Sequence, residues 1–140
     1  MRIERAVRIN APIDQVWTVL TDVTHWPEWT ESMTSVERLE RSPLGARSRT
    51  RIKQPGLAKM TWTVSEFSPP HAFTWEAHLP GLALRGTHEL HSEIDATEVR
   101  LIVEQRGILG RLLAPIAKKR SSAYVEMEAA GLKRRVKSAA

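Results

Sequence analysis

Polar side chains interrupt the apolar face of several segments that alternate with a period of two. Because successive side chains of a strand point to opposite sides of a sheet, each such segment has one predicted inner face. Six polar residues fall on these inner faces or beside the apolar side of a C-terminal helix: Ser48, Thr50, Gln54, His88, Gln105 and Tyr124. An apolar surface with a few convergent donors and acceptors is typical of a pocket for a small molecule.

His88 is the candidate for proton transfer, because it lies within the segment 84–93 and an imidazole exchanges protons near neutral pH. There are two alternatives for His88. It is either a core histidine that is hydrogen-bonded to a fixed partner, or a hydrogen-bond donor that faces a ligand. Gly86, two residues earlier on the same face, leaves room for a ligand or a helix. Gln54 and Gln105 lie at strand ends, where contact with solvent or backbone is the alternative to ligand binding.

Four tryptophans and one methionine complete the predicted ligand-binding set. Trp62 and Trp75 fall on inner faces, where they either pack the core or line a cavity. Trp26 and Trp29 bring a large apolar area to a proline-containing turn. Such rings either plug one end of a core or gate the opening of a cavity. Met127 lies on the apolar side of the C-terminal helix.

Several other kinds of site are not expected. His88 and His91 fall on opposite faces of a strand, and no histidine–carboxylate set has the spacing of metal ligands. The chain has no cysteine, no nucleophile elbow and no glycine-rich phosphate loop. Among acidic residues only Glu66, at a strand end, could reach the inner face, which argues against a paired-carboxylate hydrolase. We therefore predict neither a metal nor a cofactor.

The chain is basic, with a formal net charge of +5. Arg47, Arg49 and Arg51 alternate outward on the segment 46–54, and the C-terminal helix carries further lysines and arginines. A solvated surface explains this pattern, and contact with an anionic membrane or an acidic partner is the alternative. Because the aromatic residues alternate onto the opposite face, the stacking-plus-charge pattern of nucleic-acid binders is absent, and no nucleic acid is expected.

Length and composition predict a single domain over 1–140. The hydrophobic content of 41% is that of an ordinary globular protein. The N-terminal segment has no continuous apolar stretch, so no secretory signal is expected, and no apolar run could span a bilayer. The absence of cysteine fits a reducing compartment. We expect a cytoplasmic protein, either a monomer or a homodimer.

Periodicity predicts an order of elements that can position these residues. Seven strands are predicted at 3–9, 35–41, 46–54, 60–67, 72–79, 84–93 and 98–106. Short turn sequences separate most of the later strands, which favours an antiparallel meander.

Helical periodicity predicts a short helix over roughly 12–22, a brief helical turn near Glu31–Met33 and a long helix from Leu109 onward. Pro115 either kinks the long helix or marks its true start. The predicted apolar side of this helix comprises Leu112, Ile116, Ala123, Met127 and Ala130.

Seven strands and one long helix have unequal widths. The sheet would be about 34 Å across at the usual strand spacing, whereas a helix is about 10–12 Å wide. The sheet must therefore curl around the helix to bury one face, and one helix can leave a gap. This mismatch is the physical argument for an internal cavity.

The chain resembles the START-like (SRPBCC) superfamily of helix-grip folds. The resemblance rests on the element order and on short motifs: Asn10-Ala11-Pro12 before Val16-Trp17, Trp26-Pro27-Glu28-Trp29, Gln54-Pro55-Gly56 and Trp62-Thr63-Val64-Ser65-Glu66-Phe67. It looks most similar to the bacterial polyketide cyclase/dehydrase branch. The resemblance implies an α+β fold in which a curved seven-stranded antiparallel sheet wraps a long C-terminal helix, with two short helices between the first two strands. It also implies that the region of Trp26 and Trp29 closes one cavity opening.

Three functions are compatible with these features. The favoured one is binding of a small hydrophobic ligand (a lipid, polyketide or aromatic compound) between the sheet and the C-terminal helix. The second is a polyketide cyclase or dehydratase in which His88 transfers protons while Gln54, Gln105 or Tyr124 orients oxygen atoms. The third is an interaction module that uses the basic face.

Overall fold

The chain forms one antiparallel sheet of seven strands with a long C-terminal helix packed against it. In the computed structural model the strands are β1 (Arg2–Ile9), β2 (Ser35–Arg38), β3 (Arg49–Lys53), β4 (Met60–Ser68), β5 (Ala72–Leu79), β6 (Leu82–Glu93) and β7 (Ala96–Arg106). The structure describes residues 1–139, so Ala140, the last residue of the predicted domain, lies outside the described residues.

The strand order in the sheet is β1-β7-β6-β5-β4-β3-β2. Strands β2 to β7 form a meander in which each strand pairs with the next, and β1 pairs with β7 at the far edge. Two short helices lie between β1 and β2: α1 (Ile13–Thr21) and a 3-10 helix (Val23–Glu28). Two further helices follow β7, the short α2 (Ile108–Leu112) and the long α3 (Ala114–Ala139). The predicted helix-grip fold is confirmed.

The predicted inner faces of the strands are largely confirmed. Burial alternates along β3, β4 and the middle of β6, and the buried members are mostly the apolar ones. The buried inner-face residues are Ser48, Thr50, Ile52, Met60, Trp62, Val64, Phe73, Trp75, Ala77, His88, Leu90, Val99, Leu101 and Gln105. Pairing of Thr50 with Trp62 and of Phe73 with His88 sets the register that brings these side chains onto one face.

Several predicted boundaries were wrong. Strand β3 starts at Arg49 rather than at residue 46, because Arg47 lies in a turn with a φ of 67°. Ala46 is exposed instead of facing the core. Strand β2 ends at Arg38 instead of continuing to residue 41. The second short helix spans Val23–Glu28, so Trp26 lies inside it, whereas Glu31 lies in a simple turn.

The predicted apolar side of the C-terminal helix was also wrong. The helix is interrupted at Leu113, so α2 and α3 do not share one phase, and Pro115 lies in the first turn of α3, where a proline is tolerated. Leu112, on α2, is 72% exposed, and Ile116 and Met127, both on α3, are 63% and 38% exposed. The residues that α3 buries are Val125, Ala129, Gly131, Leu132 and Val136.

Gly131 marks the closest approach of α3 to the segment that follows the 3-10 helix. A Cβ atom at this position would overlap the Trp29 carbonyl oxygen, so only glycine lets the two backbones meet. This contact fixes the distance between the C-terminal half of α3 and the end of the 3-10 helix.

The basic residues on the outside of the sheet are partly paired. Arg49 forms an ion pair with Glu40 at 2.8 Å, and Arg47 and Arg51 are exposed. No helix within residues 1–139 is both long enough and apolar enough to cross a membrane.

Candidate functional site

A cavity of about 380 Å³ lies between the inner face of the sheet and α3. Its sheet wall is mainly apolar and aromatic, with contributions from Ile52, Met60, Trp62, Trp75, Leu84, Leu101 and Val103. Its helical wall includes Ile116, Ala117, Arg120, Ser121, Tyr124, Val125 and Glu128. The loop between β3 and β4 closes part of the gap between these walls through Leu57 and Ala58. This volume is within the range of small-molecule pockets.

The structure brings seven of the ten predicted ligand-binding residues to the cavity wall: Trp26, Gln54, Trp62, Trp75, His88, Gln105 and Tyr124. Thr50, Trp29 and Met127 are not among the lining residues. Thr50 and Trp29 are buried in the core. Met127 is 38% exposed, because α3 buries the face that carries Val125, Ala129 and Leu132 instead.

His88 is buried against aromatic rings at the inner end of the cavity. Its imidazole stacks on Phe73 with ring centroids 4.1 Å apart, and edge-on contacts to Trp26 and Trp75 surround it. The Nδ1 atom donates a hydrogen bond to the Phe73 carbonyl at 3.1 Å. Burial lowers the pKa of His88 to about 4, against the weaker opposing effect of that hydrogen bond. His88 is therefore neutral at physiological pH, with Nε2 as its hydrogen-bond acceptor.

Glu128 is an acidic residue of the cavity wall that the sequence reasoning missed. The Ser32 hydroxyl donates to its Oε1 atom at 3.3 Å, and the Thr30 hydroxyl lies 2.7 Å from the Ser32 hydroxyl. Burial raises the pKa of Glu128 to about 7, although the hydrogen bond from Ser32 opposes this shift. Glu128 can therefore both accept and donate a proton near neutral pH.

Glu66, the one acidic residue at a strand end that could have reached the inner face, does not do so. Its side chain is 66% exposed and faces Arg85 at 3.5 Å. The prediction was wrong because it considered acidic residues only on strands. Four-residue spacing of Arg120, Tyr124 and Glu128 on α3 was the available signal, since residues at i, i+4 and i+8 share one helix face.

Trp26 forms a fixed part of the cavity wall, and Trp29 packs against it in the core. Trp26 is 1% exposed, and its indole N–H donates to the Leu20 carbonyl at 2.9 Å. It packs on Trp29 and Trp75, in each case with ring centroids 5.3 Å apart. With its polar atom satisfied and its ring enclosed, Trp26 has the contacts of a plug.

Two further polar wall residues, Gln105 and Tyr124, are tied to backbone groups. The Gln105 side-chain amide donates to the Gly110 carbonyl at 3.2 Å, which joins β7 to α2. The Tyr124 hydroxyl donates to the Pro55 carbonyl and so joins α3 to the loop between β3 and β4. Gln54, at the start of that loop, is only partly buried.

The cavity rim near α2 is unusually apolar for an exposed surface. Leu79, Leu113 and Ile116 line the cavity and are 44%, 46% and 63% exposed. Ile108 and Leu112 on α2 are exposed as well. No group of three or more histidine, aspartate or glutamate residues within the described chain is placed to hold a metal ion.

Comparison with known proteins agrees with this geometry. The family model for polyketide cyclase/dehydrase and lipid transport proteins matches residues 1–137. A comparison with curated proteins finds no match. A protein from Thermus thermophilus is 23% identical, with a TM-score of 0.81 over 100% of this chain and 99% of the other.

Two further solved structures have the same fold. A START superfamily protein from Mycobacterium smegmatis is 15% identical, with a TM-score of 0.77 and coverage of 99% of both chains. The Zhui aromatase/cyclase from a Streptomyces species is 21% identical, with a TM-score of 0.69 over 97% of this chain and 95% of that one.

The fold and the cavity thus define a START-like helix-grip protein. The chain belongs to the polyketide cyclase/dehydrase and lipid transport family.

Proposed function

We propose that this protein binds a small hydrophobic ligand, such as an aromatic or polyketide compound or a lipid, in the cavity between the sheet and α3. The cavity itself carries this proposal. Protein cores normally pack without voids larger than a water molecule, yet here about 380 Å³ is open between mainly apolar walls. An open apolar space that the chain does not fill with its own side chains is suited to a ligand.

Titration with the fluorescent probe N-phenyl-1-naphthylamine tests this proposal. Leu84 lines the cavity, and Leu84→Trp places a larger ring in that space. We expect saturable binding to the parent protein and loss of binding in Leu84→Trp, with the cooperative thermal transition retained in both. Ile94→Trp is the matched control, because Ile94 is 86% exposed and absent from the cavity lining. Equal probe binding by the parent protein and Leu84→Trp would contradict a cavity site.

A proton-transfer enzyme is the second candidate, and Glu128 is the observation that favours it. A general acid or base works best when its pKa is close to the working pH, and the pKa of Glu128 is about 7. The lower pKa of His88, about 4, makes it a weak base. In a dehydration, Glu128 would take a proton from the carbon beside a carbonyl and pass it to the β-hydroxyl. The hydroxyl would then leave as water as the carbon–carbon double bond forms.

Ring opening of 5-nitrobenzisoxazole detects a carboxylate base in an apolar cavity. The test can be done although the natural substrate is not identified. The base removes the ring C–H proton, the N–O bond breaks and a coloured phenolate forms. We expect the rate to rise with pH through about 7, to be lost in Glu128→Gln and to persist in His88→Gln. If only His88→Gln lost the ring-opening activity, His88 would be the base instead of Glu128. A rate that neither substitution affects would contradict the enzymatic candidate.

A further inference from the structure

Arg120 stands at the helical wall of the cavity without a partner for its charge. The residue is partly buried and lines the cavity. Within residues 1–139 it forms neither an ion pair nor a side-chain hydrogen bond. A guanidinium presents five N–H donors. No nitrogen of Arg120 is among the buried and unpartnered atoms of the described residues, so these donors remain accessible. The donors of Arg120 are therefore available to a group that enters the cavity.

The loop between β3 and β4 lies close to the guanidinium of Arg120. Gly56 adopts a φ of +76°, and a Cβ atom there would lie 3.4 Å from one guanidinium nitrogen of Arg120. Next to it, the Tyr124 hydroxyl binds the Pro55 carbonyl and keeps the loop against α3. The guanidinium thus lies between a helix and a fixed loop at the cavity wall.

The charges around Arg120 favour an anion. The chain has no acidic residue between Glu104 and Glu126, whereas Arg111, Lys118 and Lys119 lie in that interval. On α3, the acidic residue of the same cavity wall is Glu128, eight residues and therefore about 12 Å further along the helix. Weakly screened positive charge at a low-dielectric cavity wall attracts negatively charged ligands.

We propose that Arg120 binds the anionic group of an amphipathic ligand, a carboxylate, sulfonate or phosphate, whose apolar part occupies the cavity. This inference rests on the proposed ligand-binding function and narrows it from hydrophobic molecules in general to amphipathic anions. The spacing along α3 places the apolar or hydrogen-bonding end of such a ligand near Glu128, about 12 Å from its charge.

A pair of fluorescent probes that differ chiefly in charge tests the inference. 1-Anilinonaphthalene-8-sulfonate carries a sulfonate that N-phenyl-1-naphthylamine lacks. We expect Arg120→Gln to weaken binding of the sulfonate probe by about tenfold or more, the usual effect of losing one charge-assisted hydrogen bond. Binding of the neutral probe stays unchanged. Arg120→Lys retains part of the preference for the anion because it keeps the positive charge.

Arg111→Gln is the matched control, because Arg111 belongs to the same basic segment but does not line the cavity. It leaves binding of both probes unchanged. Equal losses of both probes in Arg120→Gln, or equal losses of the sulfonate probe in the two variants, would overturn the inference.

The two probes also separate this inference from the proposed function. If the neutral probe binds and the sulfonate probe is insensitive to Arg120, the cavity binds hydrophobic ligands but has no anion site. If only the sulfonate probe binds and requires Arg120, the anion site stands and a general hydrophobic container is contradicted. If neither probe binds, both proposals fail.

Discussion

His88 and Phe73 face each other across β5 and β6 in a stacked pair whose ring centroids are 4.1 Å apart, and the same histidine donates to the Phe73 carbonyl. The stack encloses the imidazole, and the hydrogen bond fixes which nitrogen carries the proton. The two contacts together make His88 a neutral acceptor in the cavity wall.

The titration of His88 should reflect this enclosure. We expect it to remain the neutral Nδ1–H tautomer from pH 8 to about 5, because burial lowers its pKa to about 4. Imidazole ¹⁵N chemical shifts measured against pH by NMR check this. The exposed His25 is the internal control, since Asp22 raises its pKa through a hydrogen bond. Titration of His88 near its ordinary value would show that water reaches the ring.

His88 and Glu128 should have opposite effects on stability against pH. The folded-state pKa of His88 is below its ordinary 6.5, so its contribution is complete above pH 6.5 and is lost as pH falls to about 4. The folded-state pKa of Glu128 is above its ordinary 4.5, so its contribution is complete below pH 4.5 and is lost as pH rises through about 7. Between pH 4.5 and 6.5 the two effects oppose each other.

Glu128→Gln should therefore make the acid sensitivity visible. We expect the free energy of unfolding of this variant to fall by about 3 kcal/mol between pH 6.5 and pH 4. The free energy of unfolding of the parent protein should change less over the same range, and urea titration at each pH measures both. Parallel curves for the variant and the parent would contradict a raised pKa of Glu128.

Two buried threonines give a matched test of hydrogen bonding. Thr50 and Thr97 are each 0% exposed, but the Thr97 hydroxyl donates to the Ala11 carbonyl at 2.8 Å, whereas the Thr50 hydroxyl has no partner within residues 1–139. We expect Thr97→Val to lower the free energy of unfolding by about 1–3 kcal/mol and Thr50→Val to leave it unchanged or raise it. Urea denaturation measures both. Equal losses would mean that the Thr50 hydroxyl has a partner.

The contact between Gly131 and Trp29 should tolerate no side chain. We expect Gly131→Ala to lower the free energy of unfolding by about 3 kcal/mol, since the added methyl group meets a backbone carbonyl instead of a flexible side chain. Gly45→Ala is the control, because the nearest atom to a Cβ there is 3.9 Å away. Similar stability of the two variants would show that α3 can shift away from Trp29.

Trp26 should affect stability instead of ligand access. Trp26→Phe removes the donor to the Leu20 carbonyl and leaves a small void, so we expect a loss of about 1–3 kcal/mol. The association rate of N-phenyl-1-naphthylamine, measured by stopped-flow fluorescence, should stay unchanged. A faster association without loss of stability would assign Trp26 to a gate.

The strands could be predicted from sequence because alternation depends only on which face is buried. Thr50, Trp62, Trp75 and His88 accordingly lie on the inner face as expected. The buried face of helix α3 could not be predicted equally well, because apolar residues occur on more than one face of this helix. Ile116 and Met127 are exposed despite their apolar character, whereas Val125 and Leu132 are buried. Apolar residues at a cavity rim are exposed, so their positions in the sequence do not indicate which face of the helix is buried.

The most informative polar residues of the site were missed for the same reason. Glu128 and Arg120 become cavity residues only when the phase of α3 is known, and charged residues on a helix otherwise indicate a solvated surface. The pKa of Glu128 depends further on Ser32, which reaches it from a turn 96 residues earlier in the chain. Such a long-range contact leaves no periodic signal.

The hydrogen bond from Tyr124 to the Pro55 carbonyl has a consequence for the speed of exchange. It joins the two structural elements that meet beside the cavity, the loop between β3 and β4 and the helix α3. A ligand that passes between them must separate this pair, and the pair re-forms afterwards whether or not a ligand is inside. The bond therefore acts on the height of a barrier that entry and exit share, so the time a ligand stays bound can change with little change in its equilibrium occupancy.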